Sequence, residues 1–145
     1  MEFPTVYLDV DDVLEIFEAL IGPPTALLRS RDLLESAVLA PQQTVFGEDA
    51  YPTVGAKAWA YLRGLCQNHA FVDGNKRIAW AATRAFLLAN GIGIAAPVAV
   101  VEDLIVRLAA ASATQDDVLA FFETYGDVTN AVRFAAEGDI TNESA

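Results

Sequence analysis

The stretch "KRIAWAATRAFLLANG", Lys76 to Gly91, limits the fold of this chain more than any other. Beyond Lys76 and Arg77 its only charge is Arg84, so a helix here is apolar on most faces and needs neighbours around it. Asn90-Gly91 supplies a strong stop. The stretch therefore predicts the central helix of a helical domain. The segments that would surround it carry their own signals. In "LDVDDVLEIFEALIGPP", Val10, Val13, Leu14, Phe17, Leu20 and Ile21 follow helical spacing, Asp9 can cap the start, and Gly22-Pro23-Pro24 ends it. A second helix is expected from near Ser30 through "RDLLESAVLA" to Pro41. A third runs from Val54 to about Asn68 with Thr53 as cap.

Past the central helix, Pro97 can open a helix reaching about Ala111, and Thr114 with Asp116 and Asp117 can cap one that stops at Gly126. "VTNAVRFAAEG" would add a seventh, before a polar "DITNESA" end. Between the second and third helices, "PQQTVFGEDAYPT" breaks all periodicity. Its Gly47, set between Thr44 and Tyr51, suits a short hairpin or flap. Alternation at period two is almost absent elsewhere. The expected class is all-α: one compact domain over residues 1–126 with six or seven helices and a flap, then a helical extension and tail over 127–145.

A chain of 145 residues with 54% hydrophobic and 20% charged residues can bury a core without disulfides or metals. Its net charge of −11 repels a phosphate backbone, which argues against direct nucleic-acid binding. The single cysteine, Cys66, cannot form an internal disulfide, and "MEFPTVYLDV" lacks the pattern of a secretory leader. The longest charge-free apolar run, Gly91 to Val101, is too short to span a bilayer and contains Pro97. A cytoplasmic location is expected, with no membrane association.

Against this acidic background, "NHAFVDGNKRIAW" gathers the chain's one histidine, His69, with Asp73, Gly74, Asn75, Lys76 and Arg77. If one helix ends near His69 and the next begins near Asn75, then Gly74, Asn75 and Lys76 offer free backbone N–H groups, an arrangement that attracts phosphate. Lys76 and Arg77 sit where the helix dipole disfavours cations, which an anion would relieve. Gly74 permits a positive φ, and Asp73 offers the hard oxygen that phosphate-bound Mg²⁺ prefers. Histidine is the side-chain type best suited to accept a proton near neutrality, which marks His69 as a general base. Together these residues point to phosphoryl or nucleotidyl transfer. Each has a plainer reading alone: a helix-end histidine, an Asp-Gly turn, an Asn cap. The seven positions of H-x-F-x-D-G-N-K-R together arise by chance about once in a billion positions. Phe71 reads as a core anchor for the loop under any of these readings.

The stretch resembles the signature of the Fic/Doc superfamily, whose broader pattern is H-P-F-x-D/E-G-N-G-R. Lys76, where Fic proteins carry glycine, is similar to the Doc branch, and Ala70 replaces the usual proline. "LLESAVLAPQQTVFGEDAYPT" also resembles the segment that precedes the motif in that branch. The resemblance covers roughly Leu8 to Gly126 and implies a compact helical fold with a flap along the target cleft. By position, His69 would activate a target hydroxyl and Asp73 would hold Mg²⁺ and help orient the base. Gly74 and Asn75 would belong to the phosphate site, and Lys76 and Arg77 would bind the triphosphate of ATP. The lysine goes with an inverted nucleotide, so the resemblance implies a toxin that phosphorylates a hydroxyl of a translation factor such as elongation factor Tu and arrests translation. Its partner would be a Phd-like antitoxin whose C-terminal segment folds on the toxin.

Two other outcomes go with the same resemblance: AMP transfer to the target, or a silent module that only binds its antitoxin. Zinc is disfavoured, since one histidine and one cysteine supply no usual ligand set. Cys66, three residues before His69, could pair with it as a nucleophile, but a helix C-terminus raises thiol pKa, so Cys66 reads as core. Some Fic proteins inhibit themselves through S/T-x-x-x-E-G/N; "RFAAEG" supplies Glu137 and Gly138 but has Arg133 at the hydroxyl position. The expectation there is a surface helix with an Arg133–Glu137 pair, and occlusion of the cleft by Glu137 is the alternative.

Overall fold

The computed structural model describes residues 4–126, so the expected seventh helix and the Arg133–Glu137 region lie outside the described residues. Six α-helices appear among these: α1 Val10–Leu20, α2 Arg31–Leu39, α3 Val54–Gln67, α4 Asn75–Ala89, α5 Val98–Ala109 and α6 Gln115–Tyr125. The expected caps are in place. Asp9 and Thr114 form capping boxes with Asp12 and Asp117, and Ser30 and Thr53 accept the amides of Leu33 and Ala56. The all-helical class is observed, and the expected boundaries hold to within two or three residues.

The centre of the molecule is α3 rather than α4. Every residue from Val54 to Leu62 is buried, and α3 packs against α2, α4, α5 and α6. In α4, Ile78, Ala79, Ala82, Thr83, Phe86 and Leu87 are buried, but Arg77, Arg84 and Leu88 are exposed and Trp80 half-buried. The physical reason is that the outer face of α4 is apolar because it walls a groove. Sequence apolarity alone does not separate such a wall from core.

A buried lysine ties the flap to this centre. The flap is a two-stranded antiparallel hairpin, β1 Thr44–Val45 and β2 Glu48–Asp49. Phe46 (φ 52°) and Gly47 (φ 83°) form the positive-φ turn that suits the twist of a tight hairpin. Phe46, at the tip, is fully exposed. At its base, Lys57 of α3, only 3% exposed, donates to the Tyr51 carbonyl and to Asp49 Oδ2 at 3.3 Å. Its ammonium also stands 5.9 Å from the centroid of the Tyr7 ring. Buried charge needs such partners, so the hairpin is pinned at its base and free at its tip.

The N-terminal segment is held in the same manner. Tyr61, on α3, accepts from the Leu8 amide at 2.9 Å and donates to the Leu8 carbonyl at 3.2 Å, and burial pushes its phenol well above the usual range. Asn90 at the end of α4 bonds both backbone groups of Val6 at 2.9 Å. Among the described residues no helix is long and apolar enough to cross a membrane.

Candidate active site

Asn68 to Gly74 link α3 to α4, and the loop peptides from His69 to Val72 are held from outside. The segment just before α2 runs antiparallel to it, with Leu28 bridging Phe71. The amides of Arg29 and Ser30 donate to the Ala70 carbonyl at 2.8 and 3.0 Å, and the Val72 amide donates to the Leu27 carbonyl at 2.7 Å. Beneath the loop, Phe71 stacks on Phe17 of α1, with ring centroids 4.0 Å apart and planes 10° apart. Asn75, the first residue of α4, reaches back: its amide oxygen accepts from the Phe71 N–H at 3.1 Å and its amide nitrogen donates to the Phe71 carbonyl at 2.8 Å.

Within this frame His69 is exposed and left-handed, with φ 54°. A non-glycine residue in that region costs about 1–2 kcal/mol, so neighbouring bonds must hold it there. Its imidazole makes no hydrogen bond among the described residues and lines a cleft of about 270 Å³ with Asp73, Gly74, Asn75, Lys76 and Arg77. The six residues singled out from the sequence are thus brought to one cleft. Cys66 also lines it, yet is only 2% exposed. Burial pushes its thiol up, partly opposed by the nearby Lys76 ammonium, which leaves it unsuited to nucleophilic work.

The start of α4 leaves backbone amides open to the cleft. Gly74 occupies the N-cap with φ 88° and supplies no side chain to cap the helix. The first helical bond runs from the Ile78 amide to the Gly74 carbonyl, leaving the amides of Asn75, Lys76 and Arg77 without acceptors in the helix. One detail differs from the sequence reading: the Gly74 amide is not free, because it donates to Asp73 Oδ1 at 2.8 Å. The exposed Lys76 has no ion pair among the described residues, and Arg77 has only a loose one, 4.0 Å from Asp73 Oδ2. An uncapped helix start with two under-neutralised cations stabilises a bound phosphate.

Asp73 is a lone, exposed carboxylate; no group of three or more candidate metal ligands occurs among the described residues. That donor set fits Mg²⁺ carried in on phosphate oxygens, which takes one or two protein carboxylates, and not a caged protein metal. No hydrogen bond joins Asp73 to His69. The Asn75 side chain is committed to Phe71, so its backbone amide is the group left to face a phosphate.

Gly74 also packs tightly. A Cβ added there would stand 2.6 Å from Ile21 Cδ1 and 3.3 Å from Phe17 Cε2. Gly74→Ala combines that crowding with the positive-φ penalty, and a stability loss of about 1–2 kcal/mol is expected in urea unfolding. A loss under a few tenths would show that the turn relaxes freely.

Sequence reasoning missed one residue of this site and the structural role of another. Arg29 lies forty positions before His69, and no local pattern connects them. Asn75 was visible as a phosphate contact or cap, but its role as a clamp on Phe71 depends on a loop that folds back on itself.

The described residues thus form a helical domain in which one histidine stands beside an uncapped, cationic helix start. The chain belongs to the Fic/DOC family, whose model matches residues 7–87. It is also 45% identical over 118 residues to a protein named Toxin Doc from Mycolicibacterium smegmatis, covering 80% of this chain and 90% of that relative.

Proposed function

We propose that this protein is the toxin of a toxin-antitoxin pair and acts as an ATP-dependent protein kinase on a hydroxyl of a translation factor. The observation that carries the reading is the juxtaposition of His69 with the open amides of Asn75, Lys76 and Arg77. The likeness to a protein named Toxin Doc, and the lysine at position 76 of the motif, support the toxin and the kinase parts respectively.

In this reading the triphosphate of ATP lies against the α4 N-terminus, held by its amides, Lys76 and Arg77, with the γ-phosphate toward His69. Mg²⁺, held through Asp73, supplies charge neutralisation of the phosphates. His69 accepts the proton of the target hydroxyl as its oxygen attacks the γ-phosphorus. The bond to the β-phosphate oxygen breaks, ADP leaves, and the proton passes from His69 to solvent.

The antitoxin segment has a place in the same scheme. Two adjoining depressions of about 900 and 640 Å³ run along the outer face of α4, sharing Arg77, Trp80, Arg84, Ile94 and Ala95. Their walls are mainly apolar, with Arg84 free of ion pairs among the described residues. An apolar segment with acidic residues complements this groove and would lie beside Lys76 and Arg77, close to the cleft it silences.

The experiment is intact-mass spectrometry of purified elongation factor Tu after incubation with the protein, Mg²⁺ and ATP. A phosphoryl-sized increment is expected, reduced when Lys76 is replaced by glycine. An adenylyl-sized increment from the unaltered protein would overturn the kinase reading and the role given to Lys76. No increment would remove elongation factor Tu as the target.

A further inference from the structure

We infer that Arg29 is a positioning residue for His69, its guanidinium locking the His69 peptide so that the imidazole is held in the left-handed conformation at the cleft. The inference rests on the reading of His69 as the base, but its structural half stands apart from any reaction.

Arg29 donates to the His69 carbonyl from Nε at 3.0 Å and also from Nη2. No carboxylate pairs with it among the described residues, so both contacts of the fork go to this one neutral oxygen. An exposed arginine with no acid partner usually points into water. Here it is spent on the peptide that follows a strained residue. The next loop peptides are held by backbone or Asn75 bonds: Ala70 by Arg29 and Ser30 amides, Phe71 by Asn75, Val72 by Leu27. The His69 peptide is the one that depends on a side chain from another segment.

That dependence matters because of the conformation. At φ 54°, His69 can relax toward the extended or right-handed regions, where its Cβ leaves along a different direction and the ring swings away from the phosphate site. Rotation at His69 would carry its carbonyl away from the guanidinium. The Arg29 contacts therefore oppose the motion that would misplace the base. The remaining backbone bonds keep the loop attached when Arg29 is lost, so its removal loosens a single side chain rather than the fold.

The chain's single histidine makes this directly measurable. The proposal is tested with the full chain carrying Arg29→Met and Arg29→Lys, by NMR of the His69 backbone and ring together with steady-state transfer kinetics. The unaltered protein should show the strong intraresidue HN–Hα cross-peak of a positive φ and one sharp Cε1–H ring resonance. In Arg29→Met that cross-peak should weaken and the ring resonance shift or broaden, while resonances of α1 to α6 stay in place. Turnover should fall about tenfold with KM for ATP within about twofold, as expected when a reacting group is misplaced but the ligand site is intact. Arg29→Lys, which keeps the charge without the fork, should recover part of both effects.

An unchanged His69 cross-peak in Arg29→Met overturns the inference. So does a changed cross-peak with unchanged turnover, since the guanidinium would then hold a conformation the reaction does not use. If the unaltered protein transfers neither phosphate nor AMP to any target, the kinase reading fails, and the NMR result still decides whether Arg29 fixes His69.

Discussion

Replacing His69 with alanine is expected to lower phosphoryl transfer by about 10²–10⁴-fold while leaving the fold and ATP binding nearly unchanged. The expectation follows from what else surrounds the cleft. Asp73 already accepts from Gly74 and lies toward Arg77. Burial pushes the Cys66 thiol up, so it supplies little thiolate. Among the cleft-lining residues no other group is placed to take the hydroxyl proton. The proposed phosphate site is made of α4 amides with Lys76 and Arg77, none of which depends on the imidazole. The fold loses little, because the ring is exposed and unbonded among the described residues. Single-turnover transfer with radiolabelled ATP reads the rate, and a nucleotide-binding titration reads the affinity. A mutant that retained more than about a tenth of the rate would remove His69 from the role of base.

Most of the fold was readable because its signals are local. Caps at Asp9, Ser30, Thr53 and Thr114 and stops at Gly22, Pro41 and Asn90-Gly91 each act within a turn of the helix they bound. The flap was readable for the same reason, since Gly47 and the break in periodicity announce a hairpin without reference to the rest of the chain. The motif also lies in one short stretch, so the cleft residues could be named before their geometry was known. What the sequence left open depends on distant contacts. α4 looked central because Trp80, Ala81, Ala85 and Leu88 are apolar; all four line the groove along its outer face, and α3 takes the centre instead. Nothing within its own helix marks Lys57 as buried; its partners come from the hairpin that folds over it. Arg29 gains meaning only when the segment before α2 meets the loop. In each case the deciding partner lies outside the residue's own helix or turn.

Phe71→Ala is expected to cost about 3–5 kcal/mol of stability, the range for truncating a buried aromatic. The ring is 2% exposed and lies nearly parallel to Phe17, so the substitution removes both its burial and a stacked partner. Phe17 also borders Gly74, which means the resulting void opens under the N-cap of α4. Against a typical total of about 5–15 kcal/mol, such a loss is a large part of what keeps the domain folded. Urea unfolding followed by tryptophan fluorescence measures it. Phe71→Leu separates the two contributions: it keeps most of the apolar volume, and its smaller cost, on the order of 1–2 kcal/mol, reflects the lost stacking and imperfect fit. The functional consequence can be separated from unfolding by working where Phe71→Ala is still mostly folded. There transfer should fall further than the folded fraction does, because the Phe71 peptide carries both bonds from Asn75 and the bridge to Leu28. If activity instead tracked the folded fraction, the ring would serve the core alone and the loop would hold its shape through its backbone bonds.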